Sequence, residues 1–127
     1  MFSHVTLGTN NWENAEPFWE AVASALELPL LFKRPGGVAY GELMGPKIFI
    51  GPTFNGELAS NGNGTHVAFS AKDRATVDAF YNAAIEHGGA DEGKPGLRPH
   101  YHANYYGAYV RDPDGNKLQA VCHSSKG

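Results

Sequence analysis

Residues 4–19 read HVTLGTNNWENAEPFW, and residues 66–81 read HVAFSAKDRATVDAFY. Laid one over the other, His4-Val5-Thr6-Leu7 falls on His66-Val67-Ala68-Phe69, Asn11 on Asp73, and Phe18-Trp19 on Phe80-Tyr81. Each stretch opens with a strand, continues through a polar helix start and carries an aromatic pair on the helix. The same units in the same order make this an internal repeat.

Both halves continue alike. The first offers Val38-Ala39-Tyr40-Gly41, a turn at Met44-Gly45-Pro46, and Lys47-Ile48-Phe49-Ile50. The second offers Gly107-Ala108-Tyr109-Val110, a turn at Asp112-Pro113-Asp114-Gly115, and Lys117-Leu118-Gln119-Ala120-Val121. Asp-Pro-Asp-Gly is a strong hairpin signal, because proline presets one turn dihedral and glycine accepts a positive φ. Residues 51–65 are rich in Gly, Asn and Ser and read as the link between halves. We expect a single domain over residues 1–127, with module one at about 1–52, a linker at about 53–64 and module two at about 65–127.

The first helix is expected within residues 12–28. A cap at Asn14 would put Pro17 in the first turn, where a missing amide is harmless. Its apolar stripe is Phe18, Val22 and Leu26, with Ala15 and Ala25. The second helix runs from the cap Asp73 to His87 and stops at Gly88-Gly89, with Val77, Phe80, Tyr81, Ala84 and Ile85 on its stripe.

Composition narrows the function. Ten Lys and Arg against thirteen Asp and Glu give a formal charge of −3 without a basic cluster, which argues against nucleic acid or an anionic membrane surface. The single cysteine, Cys122, rules out an intrachain disulfide framework. No apolar run approaches the roughly 18 residues of a membrane helix, and the N-terminus lacks the pattern of a signal peptide. A soluble, cytoplasmic protein with no membrane or nucleic-acid partner is the expectation.

Two strands carry polar residues where a plain two-layer protein would face water. His4 and His66 share one register of the repeat, and Gln119 lies on the matching face of the last strand. If a pseudo-twofold relates the halves, these three converge in a cup. Two imidazoles and an oxygen donor make an open site for a divalent first-row metal. The alternative is that the histidines are polar lining, satisfied by tyrosine, water or backbone. A second candidate is residues 93–107, read as a loop that gathers Arg98, His100, Tyr101, His102, Tyr105 and Tyr106. Tyrosine suits ligand walls and arginine can grip a carboxylate or phosphate, although such a loop also serves as simple cover for a sheet edge.

The duplicated His-Val strand, the helical aromatic pairs and the run from Tyr105 to Gln119 resemble the vicinal oxygen chelate superfamily of glyoxalases, bleomycin-resistance proteins and extradiol dioxygenases. The most specific piece is Asp112-Pro113-Asp114-Gly115-Asn116 followed by a strand. The resemblance implies an α+β fold of two βαβββ modules, forming a curved, partly closed mixed sheet with helices on its outer face. It also implies a homodimer and a small-molecule ligand. Metal ligands carry over to His4, His66 and Gln119, with zinc, nickel, iron or manganese as the divalent ion. Gln119 stands where catalytic members have glutamate. Phe49 stands where glyoxalase I has a further glutamate, and is read as a substrate contact. On this reading Arg98, Tyr101 and Tyr106 complete the substrate wall, while His102, His100 and Tyr105 are the catalytic candidates. The activity implied is lyase- or dioxygenase-like; the alternative is a metal-free binding protein of the bleomycin-resistance kind.

Overall fold

In the computed structural model, which describes residues 1–125, ten elements follow in order. Module one holds β1 (His4–Gly8), α1 (Trp12–Ala25), β2 (Leu30–Arg34), β3 (Gly37–Gly41) and β4 (Lys47–Gly51). Module two holds β5 (His66–Ser70), α2 (Arg74–Glu86), β6 (Ala90–Leu97), β7 (Tyr106–Arg111) and β8 (Lys117–Cys122). Each module is a four-stranded mixed sheet, ordered β1-β4-β3-β2 and β5-β8-β7-β6. The first strand of each pairs parallel with the last, and the remaining pairs are antiparallel. The two sheets are not closed on one another: no strand of one pairs with a strand of the other among the described residues.

The hairpin signal is realised in full. Gly115 has φ +88°, its amide donates to the Asp112 carbonyl at 2.9 Å, and Asp112 donates to the Asn116 carbonyl at 2.9 Å. The Asp112 side chain, 4% exposed, accepts from the amides of Asp114 and Asn116 and from the Asn116 side chain. Burial pushes this carboxyl up, against the N–H bonds that hold it down.

Helix α2 begins at its Asp73 cap, whose Oδ1 accepts from the Thr76 amide, and ends at His87 before Gly88 at φ +97°. Of its expected stripe, Ile85 stays 39% exposed and Thr76 is buried instead. Helix α1 departs further from expectation. Its cap is Asn11, not Asn14; the Asn11 side chain accepts from the Asn14 amide. Pro17 therefore lies inside the helix, a site that costs about 3 kcal/mol in isolation. The neighbours offset it: Phe18 and Trp19 are fully buried, as are Ala15, Val22 and Ala23. At roughly 1.5–3 kcal/mol for each large apolar side chain, that packing outweighs the proline.

One hydrophobic cluster runs through both modules. Trp19 of α1 meets Phe69 of β5, which meets Phe80 of α2, at ring separations of 6.3 and 6.5 Å. Each sheet thus turns one face to the helices and leaves the other free. No helix of the described residues is long and apolar enough to cross a membrane.

Candidate functional site

The helix-free faces carry the chemistry, and strand register places each residue on them. In module one His4 pairs with Lys47, and Thr6 pairs with Phe49. In module two His66 pairs with Lys117, and Ala68 with Gln119. His4 and His66 are therefore equivalent, as are Phe49 and Gln119. Across the next strand the rows continue to Gly41 and Ala39 in module one, and to Arg111 and Tyr109 in module two. The tyrosines of the two hairpins are one residue out of step: Ala39, not Tyr40, matches Tyr109. A single step reverses the face of a strand residue. Tyr40 is accordingly buried at 5% exposure on the helix side, while Tyr109 stands on the free face.

The equivalent faces differ in character. In module one His4 meets Phe49 edge-on at 5.2 Å and Phe49 lies 6.0 Å from Phe32, so the face is aromatic. In module two His66 meets Tyr109 at 6.3 Å beside the amide of Gln119, so the face is polar. A cavity of about 450 Å³ opens there, lined by His66, Arg98, His100, Tyr101, Tyr105, Tyr109, Lys117 and Gln119, with Glu92 at its rim.

The far wall is shorter than the loop expected from sequence. Residues 93–97 belong to β6, an edge strand whose Gly93, Pro95 and Gly96 read as loop but are tolerated where the register bulges. The loop proper, residues 98–105, is tied across its base by the Arg98 amide donating to the Tyr105 carbonyl at 2.7 Å. His102 secures it from behind. Its Nδ1 accepts from the Asn104 amide, and its Nε2 lies 2.9 Å from His123 Nδ1. An N–H can only donate, so this bond makes His102 the Nε2–H tautomer, which donates to His123. Both imidazoles pack against the Tyr105 ring. The Gln119 amide nitrogen donates to the Tyr105 hydroxyl from the cup floor. Gly107 makes room for this contact: a Cβ there would lie 3.3 Å from both the Gln119 nitrogen and the Tyr105 ring.

Charge is uneven in the cup. Arg111 is engaged by Glu92 at 2.5 Å. Arg98 lies 5.6 Å and Lys117 5.4 Å from the Tyr109 ring centre. Burial first, then hydrogen bonds with Tyr105 and Tyr101, push the Tyr109 hydroxyl far above the ordinary tyrosine value, so it stays protonated as a donor.

Of the residues singled out from sequence, the structure gathers His66, Gln119, Arg98, His100, Tyr101 and Tyr105 around one cavity. His102 sits behind Tyr105 rather than in the cup. Tyr106 is on the opposite face from the expected ligand wall: its hydroxyl donates to Asp78 of α2 at 2.7 Å, since it alternates with Gly107. His4 and Phe49 remain on module one. The crevice of about 460 Å³ between the modules is lined by residues such as Val5, Tyr40, Ile48, Val67 and Phe69, and by neither histidine. The residues that sequence reasoning passed over are Tyr109 and Lys117. Strand parity with Gly107 and Gln119 was the signal that could have found them.

Two members of the expected metal set, His66 and Gln119, line this cup. The cup offers one imidazole of that set, His66, and one neutral amide, Gln119, whose nitrogen is already spent on Tyr105. Among the described residues no group of three His, Cys, Asp or Glu is placed to hold a metal ion.

Comparison with known proteins agrees with this architecture. The family model of the Glyoxalase/Bleomycin resistance protein/Dioxygenase superfamily matches residues 1–120, and the chain belongs to that superfamily. A glyoxalase/bleomycin resistance protein from Albidiferax ferrireducens T118 shares 34% identity and superposes with a TM-score of 0.85, over 98% of this chain and 99% of that one. Two structures share the fold at 19% identity. A glyoxalase-related enzyme from Fulvimarina pelagi has a TM-score of 0.72 over 96% of this chain and 87% of its own. A lactoylglutathione lyase from Agrobacterium tumefaciens has a TM-score of 0.62 over 96% and 92%. No curated protein gives a significant match.

Proposed function

We propose that the chain binds a small oxygenated molecule in the cup of module two, with its own hydroxyl, amide and imidazole groups receiving the ligand's oxygens. What supports this reading is the single cavity where Gln119, Tyr105, Tyr109 and Tyr101 bring polar atoms together beside aromatic walls. Concave, largely aromatic sites with a few convergent polar groups are the usual form of small-molecule pockets. Tyr109 and Tyr105 hold the ligand's oxygens, Tyr101 covers its ring, and His100 and His66 are the groups able to carry a proton. His102 keeps Tyr105 in place.

The metal reading has one observation in its favour, the equal registers of His4 and His66. It needs His4 beside His66 and Gln119 at one ion. A metal held there would supply Lewis-acid polarisation of vicinal oxygens.

The two readings separate in one experiment. Purified without chelator, the chain is expected to carry no stoichiometric metal, and millimolar catechol raises its melting temperature in EDTA as much as without it. The Tyr105→Phe chain loses that shift. A shift abolished by EDTA, with metal content that falls in His66→Ala, contradicts the proposal and favours the metal centre.

A further inference from the structure

Lys117, Arg111 and His66 lie in one row across β8, β7 and β5, and Arg98 stands above them at the loop base. Glu92, the carboxylate at the rim, is already held by Arg111 at 2.5 Å. Neither Lys117 nor Arg98 has an ion-pair partner among the described residues. Arg98 is not free to swing away: its two terminal nitrogens donate to the carbonyls of Gly96 and Lys94 at 2.8 Å each. Two like charges share one tyrosine ring, in a protein whose formal charge is −3. An anion bound beside both would be attracted by each of them. The equivalent row of module one, His4, Lys47 and Gly41, has no arginine, and the Lys47 ammonium donates to the Gly45 carbonyl.

We infer that the cup of module two selects ligands bearing an oxyanion, a carboxylate or a phosphate, received by Lys117 and Arg98 while the rest of the ligand lies against Tyr101 and Tyr105. This rests on the cup being the ligand site, and it adds the charge class of the ligand. Guanidinium and ammonium groups are the usual receivers of such anions, arginine by paired N–H bonds and lysine as a point charge. The polar cavity at the other side of His66 extends the row. Residues Asn61, Gly62, Asn63 and Gly64 line it together with Arg111 and Lys117, leaving space for an anion larger than a carboxylate.

The test uses four probes built on one ring: benzoate, phenyl phosphate, benzyl alcohol and benzylamine. Each is titrated at neutral pH against the ¹⁵N-labelled chain, with the amides of Gly93, Gly96 and Gly107 reporting on the cup. Benzoate and phenyl phosphate are expected to bind at least about tenfold more tightly than benzyl alcohol, and benzylamine to leave these amides unmoved. Lys117→Gln and Arg98→Gln each weaken phenyl phosphate by about tenfold. Lys117→Arg and Arg98→Lys, which keep the charge, retain most of the affinity and guard against loss of fold. Lys33→Gln, on module one, changes nothing. Equal affinity for benzyl alcohol and benzoate at the cup overturns the oxyanion inference and leaves the cup as the site. Anions that bind Lys117→Gln and Arg98→Gln undiminished also overturn it. If none of the four probes moves the cup amides, both the inference and the proposed site fall.

Discussion

Tyr40 and Tyr109 come from equivalent hairpins, yet one step of register separates their fates. Tyr40 faces the helices, and burial, followed by the nearby Glu20 and Glu16, pushes its hydroxyl up to about 12. Burial also raises Tyr81, Tyr106 and Tyr109, so four of six tyrosines are shifted upward. A value raised by folding favours the neutral form in the folded state. The stability tied to Tyr40 is therefore complete below the ordinary tyrosine range near 10, and is lost as pH rises through about 12. Absorbance at about 295 nm should show four tyrosines ionising late, together with loss of circular dichroism. Tyr40→Phe should move that loss to higher pH. Six tyrosines ionising together near 10 without unfolding would contradict the burial assigned to them.

At the scale of elements, the turn between β7 and β8 shows how local chemistry sets the site. Asp112 binds three N–H donors at 2.8 to 3.0 Å and so fixes where β8 begins. That start fixes Lys117 and Gln119 on the free face. Replacing Asp112 with alanine leaves those donors without their acceptor. Urea denaturation should find the chain less stable by roughly 2–3 kcal/mol. The phenyl phosphate titration should weaken alongside, as the register of Lys117 loosens. A loss below about 0.5 kcal/mol would show that the turn is held elsewhere. Helix α1 makes the complementary point. Its proline is tolerated because tertiary packing around Phe18 and Trp19 exceeds a local penalty, so the helix cap lies three residues before the one that propensity alone favours.

For the whole molecule, the repeat, the two modules and the second helix were legible because they rest on local signals: strand alternation, an Asx cap, paired glycines and the Asp-Pro-Asp-Gly turn. Strand β6 was not, since Gly93, Pro95 and Gly96 read as loop and are tolerated only where its edge pairing with β7 bulges. The site was legible in composition but not in assembly. His66, Gln119 and the aromatic loop could be named from sequence, whereas Tyr109 and Lys117 emerge only from the strand register that sets them beside Gln119 and His66. Duplication made the modules alike in backbone. One free face is aromatic and the other cationic, a difference carried by Phe49 against Gln119, Ala39 against Tyr109 and Gly41 against Arg111. With such unlike free faces, the polar cup lies on module two.

A crystal structure of the chain soaked in catechol addresses this most directly. The account predicts density in the second module, its oxygens within hydrogen-bond reach of Tyr105 or Tyr109 and its ring beside Tyr101. Catechol found instead against Phe49 and Phe32 of the first module, or in the crevice between Tyr40 and Phe69, would contradict it.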